Sequence, residues 1–559
     1  MKRVIVRKDS YYDSVFLMLI STDIKKLPGI TEAVVAMGTE MNRDLIAGMG
    51  LSTDEVAAST ANDLIIGVDA ESEDAVTEAQ ETVDKLLNKK AAAGNETSYK
   101  PGSLDAALTA APAANLAIIS VPGAFAAREA RKALKNGLHV MMFSDNVSVE
   151  DEVALKKLAV QEGLLMMGPD CGTAIINGEP ICFANVVPRG KIGIVSASGT
   201  GLQEVSCLIA DAGQGVSQAL GTGGRDLKVA EVGGMMMKSA IQALAADEET
   251  EVILVISKPP LAALTDAVIG ELEKSGKPCV VHFVGAGAQP PRGALRFAGN
   301  LTEAARMAAA IAAGGGAAES GGAHAASNAA TGGGAHAASN AATGGGAHAA
   351  SNAVTGGGAP SPFDLPESKI AQIVEHETRS MSARQKYLRG MFVGGMLTDE
   401  AATVLSDLPG GVHSFDASDP ALKLKDPHTS IGHTIVDLGE DVFTVGRPHP
   451  MIDPSIRTER MEQEALDEEV ALWLLDVVLG YGSHDDPAGA IVEYIKGAKR
   501  TAEENKNYLS VIASITGTQG DPQGFAGQKA KLEEAGVVVM PSNYQASMLA
   551  KRIMEARNE

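Results

Sequence analysis

The chain has 559 residues, of which 45% are hydrophobic and 21% charged, a balance typical of globular proteins. This length suggests roughly three or four domains, because a single core stops growing well before it. Lysine and arginine total 47 against 70 aspartate and glutamate residues, a formal net charge of -23, so we expect neither nucleic acid nor an anionic membrane as partner.

Apolar runs and cysteine spacing limit where the protein works. No run approaches the roughly 18 apolar residues of a membrane-spanning helix, and the charged N-terminus lacks the apolar core of a secretory signal. The four cysteines form no CxxC pair, which argues against a disulfide framework and a zinc ribbon. The sequence therefore predicts a cytoplasmic protein without a metal site.

Alternating strand and helix patterns predict two α/β domains, over residues 1–100 and 101–188. In the first, apolar runs predict strands at residues 2–7, 31–37 and 63–69. The stretches between and after them predict helices near residues 12–25, 41–49 and 72–89. In the second, strands and helices alternate at 115–121, 124–136, 139–144 and 148–162. Helices of this length between strands are typical of a parallel, Rossmann-type sheet.

Two further α/β units are predicted over residues 189–312 and 386–559. In both, apolar strands end in glycine-rich turns that lead into helices, as in "KIGIVSASGTG" and "YLRGMFVGG". Ligands of such sheets bind beyond the carboxyl ends of the strands. The predicted fold class is a multidomain α/β protein with Rossmann-like and flavodoxin-like parallel sheets and a small N-terminal α/β domain.

Residues 313–385 separate these units and contain a twelve-residue repeat, "GGGAHAASNAAT", followed by a connecting helix. His324, His336 and His348 occupy the same place in each copy, which could indicate a metal-binding tract. No carboxylate or thiol completes a ligand set, and the composition cannot bury much apolar surface. A flexible tether is the interpretation that we adopt.

The stretch "SASGTG" after the strand of residues 191–195 allows three interpretations. A serine nucleophile would need a GxSxG turn, and a dinucleotide loop would need GxGxxG; neither pattern is present. A phosphate cradle needs only small hydroxyls, flexible glycines and the amides of a helix start. The candidate residues are Ser196, Ser198, Gly199 and Thr200, although such turns are often glycine-rich for structural reasons alone.

Three other loops are predicted at or near the same sheet edges. "GTGGRDL" supplies Gly223 and Gly224, and "GPDCGTA" supplies Pro169 and Asp170. In the last unit, "LGYGSHDDPAG" follows a strand and is predicted to open a helix, with Gly480, Tyr481, Gly482 and Ser483 as its candidates. Two helix starts, each with about half a positive charge, could therefore face one anion.

Several long motifs, among them "MMGPDCGTAIINGEPICFANV", "KIGIVSASGTGLQE" and "TVGRPHPMIDP", resemble the FdrA family of acyl-CoA synthetase-like proteins. That family is similar to succinyl-CoA synthetase: residues 115–312 resemble the later part of its alpha subunit, and residues 386–559 the carboxyl-terminal domain of its beta subunit. The resemblance implies that Ser198, Gly199 and Thr200 form one side of a phosphate site and residues 480–483 the other.

Departures from that enzyme shape the functional expectation. Nothing resembles an ATP-grasp domain, Phe297 stands where the phosphohistidine is expected, and the CoA-phosphate loop has no counterpart in residues 1–100. We therefore expect inorganic phosphate as substrate, CoA as a possible ligand and no use of ATP by this chain. FdrA-type proteins are linked to oxamate carbamoyltransferase, a purine-catabolic enzyme that splits oxalurate with phosphate and works with companion subunits.

The resulting prediction is a subunit, in an oligomer, that transfers a carbamoyl or acyl group of a small molecule to or from phosphate. One alternative is a CoA ligase whose ATP is handled by another chain, and a second is a non-catalytic scaffold. Arg447 and His449 in "VGRPHP" are candidates for clamping a substrate carboxylate and moving a proton, with Arg225 as a further candidate. The structural alternative is that Arg447 pairs with Asp441 or Asp453 and that His449 only caps a turn.

Overall fold

The computed structural model describes residues 1–8, 10, 12, 14–93, 101–287, 289–314, 365–417, 419–444 and 447–558. The histidine repeat lies outside these residues. None of the helices in the described ranges is both long enough and apolar enough to cross a bilayer.

The N-terminal domain is a three-stranded antiparallel sheet with helices packed on both faces. Side chains alternate along its central strand, so that Ile66 and Val68 join one core and Ile65 joins another on the opposite face. The strand order is β1-β3-β2. In chain order the elements are β1 (Lys2–Arg7), α1 (Ser14–Lys25), β2 (Ile30–Met37), α2 (Glu40–Gly48), α3 (Asp54–Ala57), β3 (Leu64–Ala70) and α4 (Glu73–Ala93).

The second domain contains a short parallel sheet of order β4-β5-β6. Met141 and Met167 lie on the face away from the domain's own helices and join the core of the next domain. The elements are α5 (Leu104–Ala110), β4 (Leu116–Ile119), α6 (Gly123–Lys135), β5 (His139–Met142), α7 (Val149–Glu162) and β6 (Met166–Met167).

The third domain is built on a seven-stranded sheet of order β13-β12-β11-β9-β10-β7-β8. The β7–β8 hairpin pairs antiparallel with β10, so it belongs to this sheet although it precedes the predicted boundary at residue 188. The elements are β7 (Thr173–Ile176), β8 (Glu179–Cys182), β9 (Arg189–Ser196), α8 (Gly199–Asp211), β10 (Val216–Gly221), α9 (Met235–Ala246), β11 (Val252–Ser257), α10 (Ala262–Lys274), β12 (Cys279–Phe283), β13 (Leu295–Phe297) and α11 (Leu301–Ala312).

The last domain follows the connecting helix α12 (Glu367–Arg379) and has a six-stranded parallel sheet of order β15-β16-β14-β17-β18-β19. All nine residues of its strand β17 are buried, as expected for a parallel sheet covered on both faces. The elements are β14 (Tyr387–Phe392), α13 (Gly395–Leu405), β15 (Val412–His413), β16 (His433–Asp437), α14 (Asp441–Thr444), α15 (Ser455–Glu464), β17 (Val470–Val478), α16 (Pro487–Glu504), β18 (Ser510–Thr516), α17 (Phe525–Glu534), β19 (Val538–Met540) and α18 (Asn543–Asn558).

Reciprocal helix caps show that the third and last domains pack about a pseudo-twofold axis. Glu204, the sixth residue of α8, accepts the Asn543 amide at the start of α18 at 3.0 Å. Glu400, the sixth residue of α13, accepts the Leu301 amide at the start of α11 at 2.9 Å. Each domain therefore caps a helix of the other, which fixes how the two sheets face one another.

Candidate functional site

The candidate site lies where the starts of α8 and α13 meet. A Cβ on Gly394 would lie 3.0 Å from the Cβ of Thr200, and one on Gly201 would lie 2.5 Å from the sulfur of Met396. Side chains at these two glycines would force the helices apart. The chain thus brings together two helix starts that are almost two hundred residues apart in sequence.

The start of α8 carries hydroxyls and uncommitted amides. Ser196 donates to the Ser198 carbonyl at 2.7 Å and accepts the Ser198 amide at 3.0 Å, which shapes the turn out of β9. Ser198 Oγ caps the helix by accepting the Gly201 amide at 3.4 Å. Within the described part of the chain, the amides of Gly199 and Thr200 have no acceptor. This helix start can therefore hold an anion.

The start of α13 is lined by charged side chains instead. The Asp476 carboxylate accepts the Val393 amide at 3.0 Å, with the Gly394 amide as a second donor. A Cβ on Gly395 would lie 2.7 Å from Asp437 Oδ2 and 3.4 Å from Lys258 Nζ. The two helix starts are equivalent in position but carry different chemistry.

Burial sets the charge states of Asp437 and Lys258. Desolvation raises the pKa of Asp437 to about 7; Lys258 opposes this shift, and Glu440 adds to it. Burial disfavours the charge of Lys258, but its 2.8 Å ion pair with Asp399 and the nearby Asp437 raise its pKa above the usual range. Lys258 therefore remains a cation, while Asp437 can exchange a proton near neutral pH.

His449 lies beside Asp437 as a neutral imidazole. Its Nδ1 accepts the Met451 amide at 3.2 Å, and its ring centroid is 5.8 Å from that of Phe183. Burial lowers its pKa to about 4. A Cβ on Gly439 would collide with its Nε2 and would lie 3.1 Å from Asp437 Oδ1, so the glycine leaves space where these two side chains approach.

The two candidate arginines are engaged with carboxylates of the chain. Arg447 makes a two-pronged ion pair with Glu459, at 2.7 and 2.6 Å. Arg225 pairs through Nε with Glu152 at 2.8 Å and donates to the Val147 carbonyl at 2.8 Å. Both guanidinium groups thus hold loops in place, and the partner of Arg447 is neither of the aspartates considered from the sequence.

The glycine loop of residues 221–227 meets the "GPDCGTA" loop. A Cβ on Gly223 would collide with the Pro169 carbonyl, and one on Gly224 would lie 3.6 Å from Asp170 Oδ2. Desolvation and the neighbouring carboxylate of Asp145 raise the pKa of Asp170 to about 6. These predicted residues lie together, but they add an acidic group rather than an anion-binding one.

Residues 480–483 do not form the helix start that faces Thr200. The helix after this loop, α16, begins at Pro487 and is capped by Asp486. The Gly480 amide donates to Gln523 at 3.0 Å, and the Tyr481 amide donates to the Ala184 carbonyl at 2.8 Å. Gly482 packs against Phe183, while Ser483 Oγ is buried without a partner in the described residues. In the described residues α13, rather than α16, begins beside Thr200, and the role of residues 480–483 in a phosphate cradle stays a prediction.

Two family models and several proteins match this chain or parts of it. A family model described as CoA-ligase matches residues 391–553, and one described as AllF, heavy metal-associated domain, matches residues 1–102. Protein YahF of Escherichia coli (strain K12) is 41% identical over 554 residues, which cover 99% of this chain and 98% of YahF. The chain belongs to the FdrA family. The family prediction and the predicted fold class are both confirmed.

Two more distant proteins resemble parts of this FdrA-family chain. Succinate–CoA ligase [ADP-forming] subunit alpha of Aquifex aeolicus (strain VF5) is 31% identical over 212 residues, covering 36% of this chain and 68% of that protein. The dinucleotide-forming acetyl-coenzyme A synthetase 1 of Ca. Korarchaeum cryptofilum, solved with phosphate and ADP, is 14% identical. The match covers 79% of this chain and 82% of the synthetase chain. Its TM-score of 0.25 is too low to support an inference.

The N-terminal segment that matches the heavy metal-associated domain lacks the usual heavy-metal ligands. Residues 1–102 contain neither cysteine nor histidine, the side chains that heavy metals prefer. Over the described ranges of the whole chain, no three His, Cys, Asp or Glu side chains are arranged to hold a metal ion.

Sequence reasoning missed Gly394, Gly395, Lys258 and Asp437. The motif "MFVGGMLTDE" repeats the strand, glycine turn and helix of "IVSASGTGLQE", with the glutamate at the same distance from the helix start. Aligning the two units on that pattern would have found α13. Lys258 follows directly after β11 and Asp437 ends β16, so a search of every strand end would have included both.

Proposed function

We propose that this FdrA-family chain transfers a carbamoyl or acyl group to or from inorganic phosphate, as the catalytic subunit of a complex. The observation that carries the proposal is the junction of α8 and α13, where the Gly199 and Thr200 amides have no acceptor in the described residues. A helix start with free amides and about half a positive charge favours a phosphate group.

The surroundings of Phe297 support phosphate as a free substrate rather than a group carried on histidine. Phe297, at the expected phosphohistidine position, is 7% exposed and belongs to a hydrophobic core. The neighbouring His282 is 1% exposed, with its Nδ1 2.9 Å from the Ala298 carbonyl. Neither residue can carry a phosphoryl group between distant sites.

The proposed step is a direct displacement at a carbonyl carbon. A phosphate oxygen attacks the carbamoyl carbon, a C–O bond forms, the C–N bond to the leaving amide breaks, and the leaving nitrogen takes a proton. The α8 amides hold the phosphate, and Lys258 balances the negative charge that builds on the carbonyl oxygen. Asp437, with a pKa of about 7, supplies the proton in this direction and accepts it in reverse.

CoA binding has a separate observation in its favour. A groove of about 370 Å³ on α6 is lined by Arg128, Arg131, Lys132 and Lys135, together with Asp151, which lies 3.7 Å from Arg131. These cations fit the phosphate groups of CoA. The groove supports the second candidate function, a CoA ligase that uses an acyl group and phosphate while another chain handles ATP.

Phosphorolysis assays test the proposal. The full-length chain, with and without co-expressed companion chains, is incubated with phosphate and a panel of carbamoyl donors, including oxalurate, and acyl donors. We expect phosphate-dependent release of carbamoyl phosphate or an acyl phosphate. Asp437→Asn should lower kcat, whereas Asp407→Asn, at a side chain 65% exposed, should not. Binding of labelled CoA without phosphorolysis would favour the CoA ligase. A negative result in both assays would favour the non-catalytic scaffold.

A further inference from the structure

A buried hydroxyl beside α8 has no partner within the described chain. Thr173, the first residue of β7, is 1% exposed, and its Oγ1 makes no hydrogen bond there. Buried polar atoms are nearly always hydrogen-bonded. The same Oγ1 lies 2.9 Å from the position that a Cβ on Gly199 would take, so it is packed against the first residue of α8.

The sheet explains why this hydroxyl lies at the helix start. In the strand order, β7 neighbours β10 and β10 neighbours β9, with Gly221 paired directly with Ser196. A Cβ on Gly221 would lie 2.7 Å from the Thr173 carbonyl oxygen. Thr173, Gly221 and Ser196 therefore lie side by side at the edge of the sheet from which α8 begins. Ser196 is occupied by the turn, whereas the Thr173 proton is uncommitted.

We infer that Thr173 Oγ1 donates a hydrogen bond to a phosphate oxygen held at the start of α8, and this inference rests on the proposed function. A tetrahedral oxyanion presents oxygens in several directions. One can accept the Gly199 and Thr200 amides while another accepts the Thr173 hydroxyl. Thr173 is thus a positioning residue for phosphate, contributed by the hairpin that comes before the domain of α8.

Titration calorimetry with inorganic phosphate tests the inference on the full chain. Thr173→Val keeps the shape and removes the hydroxyl, and Thr173→Ser keeps the hydroxyl. Ser510→Ala is the matched control, because Ser510 Oγ is also buried without a partner in the described residues. Ser510 is the first residue of β18, at the amino end of the strand, whereas the start of α8 lies beyond the carboxyl end of β9. We expect about tenfold weaker phosphate binding for Thr173→Val, and nearly unchanged binding for the other two.

Thermal unfolding without phosphate separates binding from folding. Thr173→Val should be at least as stable as wild type, because it removes a buried hydroxyl that lacks a partner. If that variant does not fold, Thr173→Ala is titrated with the same expectation. Wild-type binding of phosphate together with unchanged binding in the hydroxyl-free variants would overturn the inference alone. Failure of the wild type to bind phosphate would overturn the proposed function as well.

Discussion

Replacing Glu400 by Gln is expected to make the chain more stable at pH 8. Glu400 is 3% exposed at the contact between the two flavodoxin-type domains. Burial raises its pKa from 4.5 to about 7, although the Leu301 amide and Asn543 oppose the shift. Because the folded state holds this proton more tightly than the unfolded state, the stability that it contributes is complete below pH 4.5. It is lost as the pH rises through 7.

The shift gives the magnitude. Between pH 5 and pH 8, a carboxyl whose pKa changes from 4.5 to about 7 on folding loses about 2–3 kcal/mol of stability. Gln cannot ionise, and its carbonyl can still accept the Leu301 amide, but its NH2 group cannot accept the Asn543 Nδ2 donor that Glu400 accepts at 2.8 Å. That lost hydrogen bond costs about 1 kcal/mol at both pH values. The variant should therefore be less stable than wild type by about that amount at pH 5 and more stable by about 1–2 kcal/mol at pH 8.

Urea unfolding followed by circular dichroism at both pH values measures this difference. Glu555→Gln is the control, because Glu555 is 50% exposed and its ion pair with Lys551 is long, at 4.0 Å. Asp437 and Asp170, with pKa values raised to about 7 and about 6, add a pH dependence of the same sign to every protein compared. An equal loss of stability in wild type and Glu400→Gln between pH 5 and pH 8 would refute the reasoning.

Three further predictions concern the proposed phosphate site and the repeat. Gly199→Val should weaken phosphate binding more than Ser198→Ala: the added side chain meets Thr173 Oγ1, whereas Ser198→Ala removes only a 3.4 Å cap worth about 1 kcal/mol. Calorimetry compares them, and near-complete loss of turnover in Ser198→Ala would instead indicate a nucleophile. Incubation with radiolabelled ATP should leave no acid-labile phosphate on the chain, since Phe297 is buried where the phosphohistidine is expected; a stoichiometric label would contradict this. Deleting residues 321–357 should preserve unfolding transitions and turnover, because changing loop length costs little; lost metal content together with lost activity would restore the metal-tract interpretation.

Local pattern was enough to predict most elements and the turn from β9 into α8. The apolar run before "SASGTG" forms β9, and the small residues after it form a capped helix start, because this chemistry depends only on neighbours in the chain. The long buried strands β17 and β18 were equally readable as apolar runs. The β7–β8 hairpin was less predictable, since only its pairing with β10 assigns it to a sheet.

The approach of α13 to α8 depends on contacts between domains that no local pattern contains. Gly480 and Gly482 have the positive backbone φ angles of a tight loop, +106° and +78°, which "LGYGS" signals correctly. The sequence could not show that the Tyr481 amide is used by Ala184, almost three hundred residues away. It also could not show that Gly394, without a side chain, is what allows α13 to reach Thr200.

The pseudo-twofold axis makes the two helix starts equivalent in place, and their side chains make them unequal in function. At α8, small residues leave amides free for an anion. At α13, the Asp476 carboxylate accepts the Val393 and Gly394 amides just before the helix, and Asp437 adds a second acid beside Gly395. A second phosphate there would meet two carboxylates, and the neighbouring cations are already paired, Lys258 with Asp399 and Arg457 with Asp476. One phosphate per chain, bound on the α8 side and facing an acid–base group on the α13 side, is the arrangement that this asymmetry favours.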